Sequence, residues 1–262
     1  MNEFLSPRIK SEGFRYDGSG GTACYLIHGF TGSTFELDDF GRFLAANGIT
    51  AVADILPGHG TSPHDCNTKT QEDWIETVMS GSAALAEEFE DVFVAGFSMG
   101  TSLGIHVASR FDLSGLILYS PAIFKFKSWT AYLSHATKWF KDYEPKTKVY
   151  KKDMPRPFFG YEVYPLRAAS EVLKLTKRAR HLLNEISCPA VIMHSKSDTT
   201  APYINGPMVY DAIGSADKQF FSFEESSHVL TYDCEREKVW DISLQFMREH
   251  SRLLKDEIPI PE

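Results

Sequence analysis

The sequence predicts an α/β fold, with a mostly parallel twisted sheet flanked by helices and an inserted helical cap. Three observations support this prediction. Short apolar runs alternate with segments of helical period, which is the pattern of βαβ units. The pentapeptide GFSMG (96–100) lies between an apolar run and a helix-like run. Finally, the alternation breaks at residue 121 and resumes at residue 188.

Six apolar runs are predicted to form the strands of the sheet. Each is short enough for a buried strand, and helix-length segments separate most of them. In chain order, the runs cover residues 23–30, 49–56, 91–97, 113–121, 188–195 and 218–226. No repeated unit interrupts this order, so we expect a single sheet.

Amphipathic periodicity predicts the helices that cover this sheet. Asp233 precedes the last helix and is predicted to be its N-cap, because a short acidic side chain can accept a hydrogen bond from a free N–H of the first turn. The apolar positions that mark three of the helix faces are Leu37, Phe40 and Leu44, then Trp74, Val78 and Leu85, and finally Val239, Ile242 and Phe246.

Residues 121–187 are predicted to be the inserted cap, and residues 1–120 and 188–262 the core. This segment contains five prolines and twelve aromatic residues, and its net charge is +8 whereas the rest of the chain carries −16. The basic charge has three interpretations. It is a solvated surface resting on an acidic body, it attracts anionic substrates, or it contacts an anionic lipid surface or another subunit.

Composition excludes several classes of protein. With 43% hydrophobic and 24% charged residues in 262, the chain is neither disordered nor fibrous. No apolar stretch approaches 18 residues and no signal peptide is visible, so we predict a cytoplasmic protein without a membrane span. We expect no nucleic-acid partner, and the sequence leaves a homo-oligomer open. The widely spaced cysteines are predicted to be reduced packing residues: Cys24, Cys66, Cys188 and Cys234.

The sequence predicts neither a metal nor a cofactor. No histidine pair has the HExxH spacing of a zinc site. The GSGG stretch at 18–21 precedes a strand instead of following one, so it cannot present a phosphate to a helix N-terminus. His28 and His59 lie in glycine-flanked loops, where we expect structural hydrogen bonds, and His106 and His194 are interpreted as packing residues.

Ser98 is predicted to be a nucleophile on a tight turn. The G-x-S-x-G pattern needs small neighbours so that the strand before the serine and the helix after it can approach each other. Gly96 and Gly100 meet that need, and Gly104 and Ala108 continue a stripe of small residues along the helix. The strand and the helix are both predicted where the motif requires them.

A serine nucleophile needs a base, and the base needs an acid that orients it. When the serine sits on such a turn, the acid and then the histidine follow in the chain, each after a later strand. Asp198 follows the run VIMHS, and His228 follows the run QFFSFEES. We therefore predict that Ser98, Asp198 and His228 act together.

An acyl-transfer site also needs two N–H groups directed at the developing oxyanion. The residue after the nucleophile supplies one of them, which here is Met99. A loop after an early strand supplies the other, and Phe30 in LIHGFTGS (26–33) is the best candidate. Phe30 is also predicted to form a wall of the acyl pocket.

Five segments in this order, HGFTGS, PGHGTS (57–62), GFSMG, SKSD and SSHVLTYD, resemble the α/β-hydrolase superfamily. Within it, the chain is most similar to the bacterial carboxylesterase and monoacylglycerol lipase group with a small cap. The resemblance covers 20–120 and 188–250 and matches the cap only loosely. It implies a triad of Ser98, Asp198 and His228, an oxyanion hole from Phe30 and Met99, and hydrolysis of an ester without a cofactor.

The aromatic cap indicates a hydrophobic small-molecule ester as substrate, either a short- to medium-chain acyl ester, a monoacylglycerol or an aromatic acyl ester. The pocket candidates are Phe30, Phe124, Phe126 and Trp129, although the cap aromatics fit a core of the cap equally well. Two other functions stay open. Residues 228–233 fit the H-x4-D pattern associated with acyltransferases, and a binding protein can retain the same fold without turnover.

Overall fold

The computed structural model describes residues 11–126, 141–146 and 160–253. Nine strands lie in these ranges: β1 (Phe14–Tyr16), β2 (Thr22–Ile27), β3 (Thr50–Ala53), β4 (Asp91–Phe97), β5 (Gly115–Tyr119), β6 (Tyr143–Pro145), β7 (Val163–Pro165), β8 (Ala190–Ser195) and β9 (Lys218–Phe223). The described helices are α1 (Phe35–Ala46), α2 (Pro63–Cys66), α3 (Gln71–Glu88), α4 (Met99–Ala108), α5 (Leu166–Leu182), α6 (Asn205–Ala212) and α7 (Arg236–His250), with a short 3₁₀ helix at Leu183–Glu185.

Seven strands form one sheet in the order β1-β3-β2-β4-β5-β8-β9. Only β1 is antiparallel to its neighbour, and every other pairing in the sheet is parallel. The predicted α/β fold is therefore confirmed, and all six predicted runs contain strands of this sheet. The sequence did not predict β1, β6 or β7, because each spans three residues and is too short to show an alternating pattern.

Helices cover both faces of the sheet, so the central strands β2, β4, β5 and β8 are buried on both sides, whereas the edge strands β1 and β9 are partly exposed. Cys24 and Leu26 in β2 point into the cluster that contains the apolar faces of α1 and α7. Tyr25 and Ile27 alternate with them and point into the cluster formed with α3 and α4. This two-residue period places one helical layer on each face of the sheet.

Helix α5 lies in the segment that was predicted to be the cap, yet it packs in the core. Ala168, Leu175 and Ala179 are fully buried in the same cluster as α3 and α4. Strands β6 and β7 form a separate antiparallel pair. The boundaries of the cap at 121 and 187 stay a prediction, and so does the division between core and cap.

The start of α7 differs from the prediction. The helix begins at Arg236, with Glu235 at its N-cap, so the assignment of Asp233 to this position was wrong. The Asp233 carboxylate instead accepts hydrogen bonds from the N–H groups of Ser227 and Cys234. A contact with the preceding loop has therefore displaced the local capping interaction.

All four cysteines are free thiols. Cys24 and Cys66 are buried, and burial raises the pKa of both thiols, which makes them poor nucleophiles. Cys188 is half-buried, but Cys234 is exposed, so its interpretation as a packing residue was wrong. The ranges given above hold no cluster of three potential metal ligands, and none of their helices is long and apolar enough to cross a membrane.

Small residues bring α4 close to the sheet beneath it. A Cβ atom at Gly96 would lie 2.2 Å from the carbonyl oxygen of Gly100, and one at Gly100 would lie 2.3 Å from the carbonyl oxygen of Ile27. Both contacts are with backbone, which cannot move away without separating the helix from the strands. At Gly104 the nearest atom would be a Leu116 methyl group at 3.3 Å, which can adjust.

Because of this difference, Gly100→Ala should destabilise the fold far more than Gly104→Ala, although both add one methyl group to α4. We expect Gly100→Ala to lower the free energy of unfolding by about 2 kcal/mol or more, as in overpacked cores. Gly104→Ala should stay within about 1 kcal/mol of the wild type, because alanine favours the helix. Urea denaturation of the three proteins measures both effects, and equal losses would contradict this account of the helix approach.

Candidate active site

Ser98 lies at the tip of the turn between β4 and α4, in a backbone conformation that is unusual for a residue with a side chain. Its φ is 54° and its ψ is −112°. The Ser98 N–H donates to the carbonyl oxygen of Tyr119 at 2.9 Å, which joins the turn to the end of β5. A positive φ outside glycine costs about 1–3 kcal/mol, so the surrounding structure must enforce it.

The three residues predicted to act together are joined by two hydrogen bonds. The Ser98 hydroxyl oxygen lies 2.8 Å from His228 Nε2, and His228 Nδ1 lies 2.6 Å from Asp198 Oδ2. Because a carboxylate only accepts, Nδ1 carries the proton and Nε2 is free to accept the serine hydroxyl. Ser98, Asp198 and His228 follow β4, β8 and β9, so all three lie at the carboxyl edge of the sheet.

The Asp198 carboxylate is enclosed by hydrogen-bond donors. Oδ1 accepts from the N–H groups of Thr200 at 2.7 Å and Ala201 at 2.9 Å. Oδ2 accepts from His228 and also lies 3.1 Å from Nε2 of His194. Burial alone would raise the pKa of Asp198, but the nearby His228 and the imidazole hydrogen bonds outweigh it and hold the pKa well below its usual range. Asp198 is thus ionised wherever the protein is folded near neutral pH.

His194 was predicted to be a packing residue, and that prediction missed its polar contact. The side chain is completely buried, and its Nε2 contacts Asp198 Oδ2 and, at 3.3 Å, the carbonyl oxygen of Ala201. Its Nδ1 has no partner among the described residues. The sequence did contain a signal for this contact, since His194 lies near the end of β8, four residues before Asp198. Two imidazoles therefore share one oxygen of the same carboxylate.

Polar contacts fix the loop that carries His228. Asp233 accepts hydrogen bonds from the backbone N–H of Ser227 at 2.5 Å and from the Ser227 hydroxyl. The Ser120 hydroxyl donates to the His228 carbonyl oxygen at 2.7 Å, and Ser120 itself has a φ of 46°. Asp233 is therefore a support of this loop, which gives the aspartate of the H-x4-D spacing a structural contact.

The predicted oxyanion-hole residues flank the serine. A Cβ atom at Gly29 would lie 3.3 Å from the Ser98 Cβ, so the chain just before Phe30 passes directly over the turn. Met99 opens α4, where the first N–H groups have no partner within the helix. In the ranges described, neither the Phe30 nor the Met99 N–H donates a hydrogen bond within the protein. Their assignment to an oxyanion hole stays a prediction.

The loop after β2 also contacts a residue that the sequence analysis did not consider. Glu36, in the first turn of α1, is 5% exposed, and its Oε2 accepts the Gly29 N–H at 3.0 Å. Burial raises the pKa of Glu36 to about 7, although the Gly29 N–H and the charges of His228 and Lys146 oppose this shift. The signal in the sequence was weak, since an acid in a first turn is common on exposed helices.

Phe30 packs into an aromatic cluster beside the serine. Its ring lies 6.2 Å from Trp74, 6.0 Å from His59 and 6.4 Å from Tyr164, measured between centroids, and it is stacked on Tyr164. These contacts support its predicted place in a pocket wall and limit the movement of its ring.

The cap aromatics predicted as pocket residues are described only in part. Phe124 is half-buried against the core cluster that contains Met99, and its N–H donates to Asn205 Oδ1 at 2.8 Å. Phe126 is half-buried too. Trp129 lies outside the described residues. The pocket assignment of all three stays a prediction.

Three other histidines form the hydrogen-bond contacts expected of structural residues. His28 Nε2 accepts the Leu56 N–H at 3.0 Å, and burial lowers the pKa of His28 to about 4, so the ring is neutral. His59 contacts the carbonyl oxygen of Pro57 at 3.3 Å, and His106 contacts that of Ser102 at 2.7 Å. None of these three rings contacts Ser98.

Two curated proteins are similar to this chain over most of its length. The thermostable monoacylglycerol lipase of Bacillus sp. (strain H-257) is 27% identical over 237 residues, which is 90% of this chain and 94% of the lipase. The carboxylesterase of Bacillus subtilis (strain 168) is 27% identical over 234 residues, with 88% and 94% of the two chains covered.

A solved structure from the metagenome-derived lipolytic enzymes LipS and LipT superimposes with a TM-score of 0.86 at 28% sequence identity. It covers 92% of this chain and 98% of that chain. The family model described as serine aminopeptidase, S33, matches residues 21–235, a span that contains every residue of the candidate site. The predicted resemblance is thereby confirmed, and the chain belongs to the serine aminopeptidase S33 family of α/β hydrolases.

Proposed function

We propose that this protein is a serine carboxylic-ester hydrolase that works through an acyl-enzyme, with Ser98 as nucleophile. One observation carries the proposal: a serine on a strained turn, 2.8 Å from an imidazole that is itself held 2.6 Å from a buried carboxylate. A protein that only binds a ligand needs no such arrangement, because the three groups together serve to transfer the serine hydroxyl proton to the histidine.

In the first step, the Ser98 oxygen attacks the ester carbonyl carbon while His228 Nε2 takes the hydroxyl proton. Asp198 keeps the proton on Nδ1 and stabilises the imidazolium that forms. The electron pair of the carbonyl bond moves to the oxygen, whose negative charge is stabilised by the N–H groups of Phe30 and Met99. His228 then protonates the leaving alcohol, and the acyl group stays on Ser98.

In the second step, a water molecule replaces the alcohol. His228 takes a proton from the water as its oxygen attacks the acyl carbon, and the same two N–H groups stabilise the second oxyanion. The bond to Ser98 breaks, and His228 returns the proton to the serine oxygen. The acid leaves, and the site is restored without a cofactor.

The substrate we propose is a hydrophobic ester, either a short- to medium-chain acyl ester or a monoacylglycerol. The similar monoacylglycerol lipase and carboxylesterase from Bacillus support this class. The aromatic surroundings of Phe30 support it as well, since apolar walls favour an apolar substituent. The family description names an aminopeptidase, so an amide substrate belongs in the test.

Ser98→Ala should lower kcat/KM by about 10⁴-fold or more on the preferred substrate, because it removes the nucleophile. Initial rates on p-nitrophenyl esters from acetyl to palmitoyl, a monoacylglycerol, a hydroxycinnamoyl ester and amino-acid p-nitroanilides measure the effect. Ser102→Ala is the matched control, since Ser102 lies one turn further along α4 and its hydroxyl has no partner in the described part of the chain. It should retain wild-type rates.

The panel also separates the alternatives. An optimum at short acyl chains identifies an esterase, and one at medium chains or monoacylglycerol identifies a lipase of that class. If the p-nitroanilides were the only substrates from which release depends on Ser98, the result would contradict the proposed ester hydrolase and favour an aminopeptidase. No release that depends on Ser98 from any substrate would contradict both.

His194→Phe should move the acidic limb of the kcat/KM profile to higher pH. The variant keeps a buried ring but removes one donor from Asp198 Oδ2, so the carboxylate interacts more strongly with the protonated base beside it. His194→Gln, which retains an N–H donor, should leave the limb closer to its wild-type position. Profiles of the three proteins between pH 5 and about 9 measure the shift, and identical limbs would show that His194 only packs.

A further inference from the structure

The segment His28–Ser33, which we call the oxyanion loop, is contacted from behind by the carboxylate of Glu36. Glu36 Oε2 accepts the Gly29 N–H at 3.0 Å. The carbonyl oxygen of Gly29 is held as well, because His28 Nδ1 lies at 2.9 Å and the Gly32 N–H at 3.3 Å. Both polar groups of Gly29 are therefore occupied.

These contacts determine where the Phe30 N–H points. The carbonyl of Gly29 and the N–H of Phe30 belong to one planar trans peptide unit, in which the two bonds are directed oppositely. Fixing Gly29 on both of its polar groups therefore fixes the direction of the Phe30 N–H. The Gly29 N–H itself belongs to the preceding peptide unit, so loss of its acceptor would free the backbone torsions of Gly29. The Phe30 N–H would then be held only through the Gly29 carbonyl and could turn away from the oxyanion.

The carboxylate of Glu36 also fills space that the loop leaves for it. A Cβ atom at Gly32 would lie 2.2 Å from Glu36 Oε1. The carboxylate thus touches the loop at Gly29 and again at Gly32, on either side of Phe30 and Thr31. It therefore packs against the loop at Gly32 and accepts a hydrogen bond from the loop at Gly29.

The opposite side of the loop is held at Thr31, whose φ is 63°. The Thr31 carbonyl oxygen accepts the Tyr161 N–H at 2.9 Å, and its hydroxyl oxygen accepts from the ammonium group of Lys146. Lys146 also attracts Glu36 electrostatically. The loop is therefore held between an acid on α1 and a lysine that directly follows β6.

Stabilisation of the helix N-terminus by a negative charge does not explain why Glu36 is buried. An acid in a first turn can stabilise the helix N-terminus from an exposed position, where its charge stays hydrated. Burial of a carboxylate opposes its ionisation and costs free energy unless specific partners compensate. Glu36 is buried, and its carboxyl group accepts a hydrogen bond from the loop beside Ser98.

We propose that Glu36 is a positioning residue for ester hydrolysis, which holds the oxyanion loop so that the Phe30 N–H meets the transition state. It acts through Phe30 and does not touch the substrate. This inference rests on the proposed function, because it assigns Glu36 a role in the same reaction.

Two variants of nearly equal volume isolate the hydrogen bond. Both Glu36→Gln and Glu36→Met remove the ionisable carboxyl group, but only glutamine retains an oxygen that can accept the Gly29 N–H. Removal of one oxyanion donor costs about 10²–10³ in kcat, and misdirection of a donor should cost part of that. We therefore expect Glu36→Met to lower kcat by about 10- to 100-fold with little change in KM, and Glu36→Gln to stay within about threefold of the wild type.

Labelling of Ser98 by a fluorophosphonate supplies a second readout. The phosphonyl oxygen is held where the oxyanion forms, so the rate constant of labelling should fall in step with kcat in Glu36→Met. Asp38→Asn is the control, because it removes a charge from the same helix turn, where the carboxylate accepts hydrogen bonds from Tyr16 and Arg42. Glu36→Ala repeats the comparison with less bulk if the methionine variant does not fold, as judged from its thermal melt.

Equal kcat values for Glu36→Met and Glu36→Gln would overturn the proposal, as would a loss confined to KM. Failure of the proposed function looks different, since the wild type itself would then show neither turnover nor phosphonate labelling that depends on Ser98. If the wild type is active and Glu36→Met has the same kcat, only the proposed role of Glu36 is contradicted, and not the proposed ester hydrolysis.

Discussion

The close approach of α4 to the sheet is the constraint on which the candidate site depends. Gly96 and Gly100 remove the side chains that would separate the helix from the strands, with backbone atoms 2.2–2.3 Å from where each Cβ would lie. The short turn that results forces Ser98 to a φ of 54°, which puts its hydroxyl above the sheet edge. Packing along a whole helix thus maintains a conformation that a free turn would not adopt.

Around this turn, the site is held by polar contacts that supplement its apolar core. Four donors surround Asp198, and Asp233 and Ser120 support the loop that carries His228. Glu36 supports the loop on the other side of Ser98. Asp198, Asp233, Ser120 and Glu36 are all buried, where an electrostatic contact is stronger than in water and an unpaired group is costly. The loops are therefore defined by interactions that tolerate little displacement.

Much of this arrangement could be predicted from sequence because its signals are local. Six strands followed from apolar runs, and the order of Ser98, Asp198 and His228 followed from where those runs end. The contacts of His194 and Glu36 could not be predicted, since each depends on how a loop folds back on a strand or a helix. Asp233 illustrates this limit. The local capping rule predicted a hydrogen bond from the first turn of the last helix, whereas in the structure the Asp233 carboxylate accepts the Ser227 N–H. Strands of three residues, such as β6, carry too little pattern to be recognised.

One contact of the oxyanion loop has a consequence for how this chain can diverge. The Thr31 carbonyl oxygen accepts its hydrogen bond from the main-chain N–H of Tyr161, and every amino acid except proline can supply that donor. Exchange of the Tyr161 side chain would therefore leave this donor in place, but it would remove the hydrogen bonds that the buried phenol makes with Gly58 and Thr61. At this position the main-chain contact is thus independent of residue type, whereas the packing around the phenol is not.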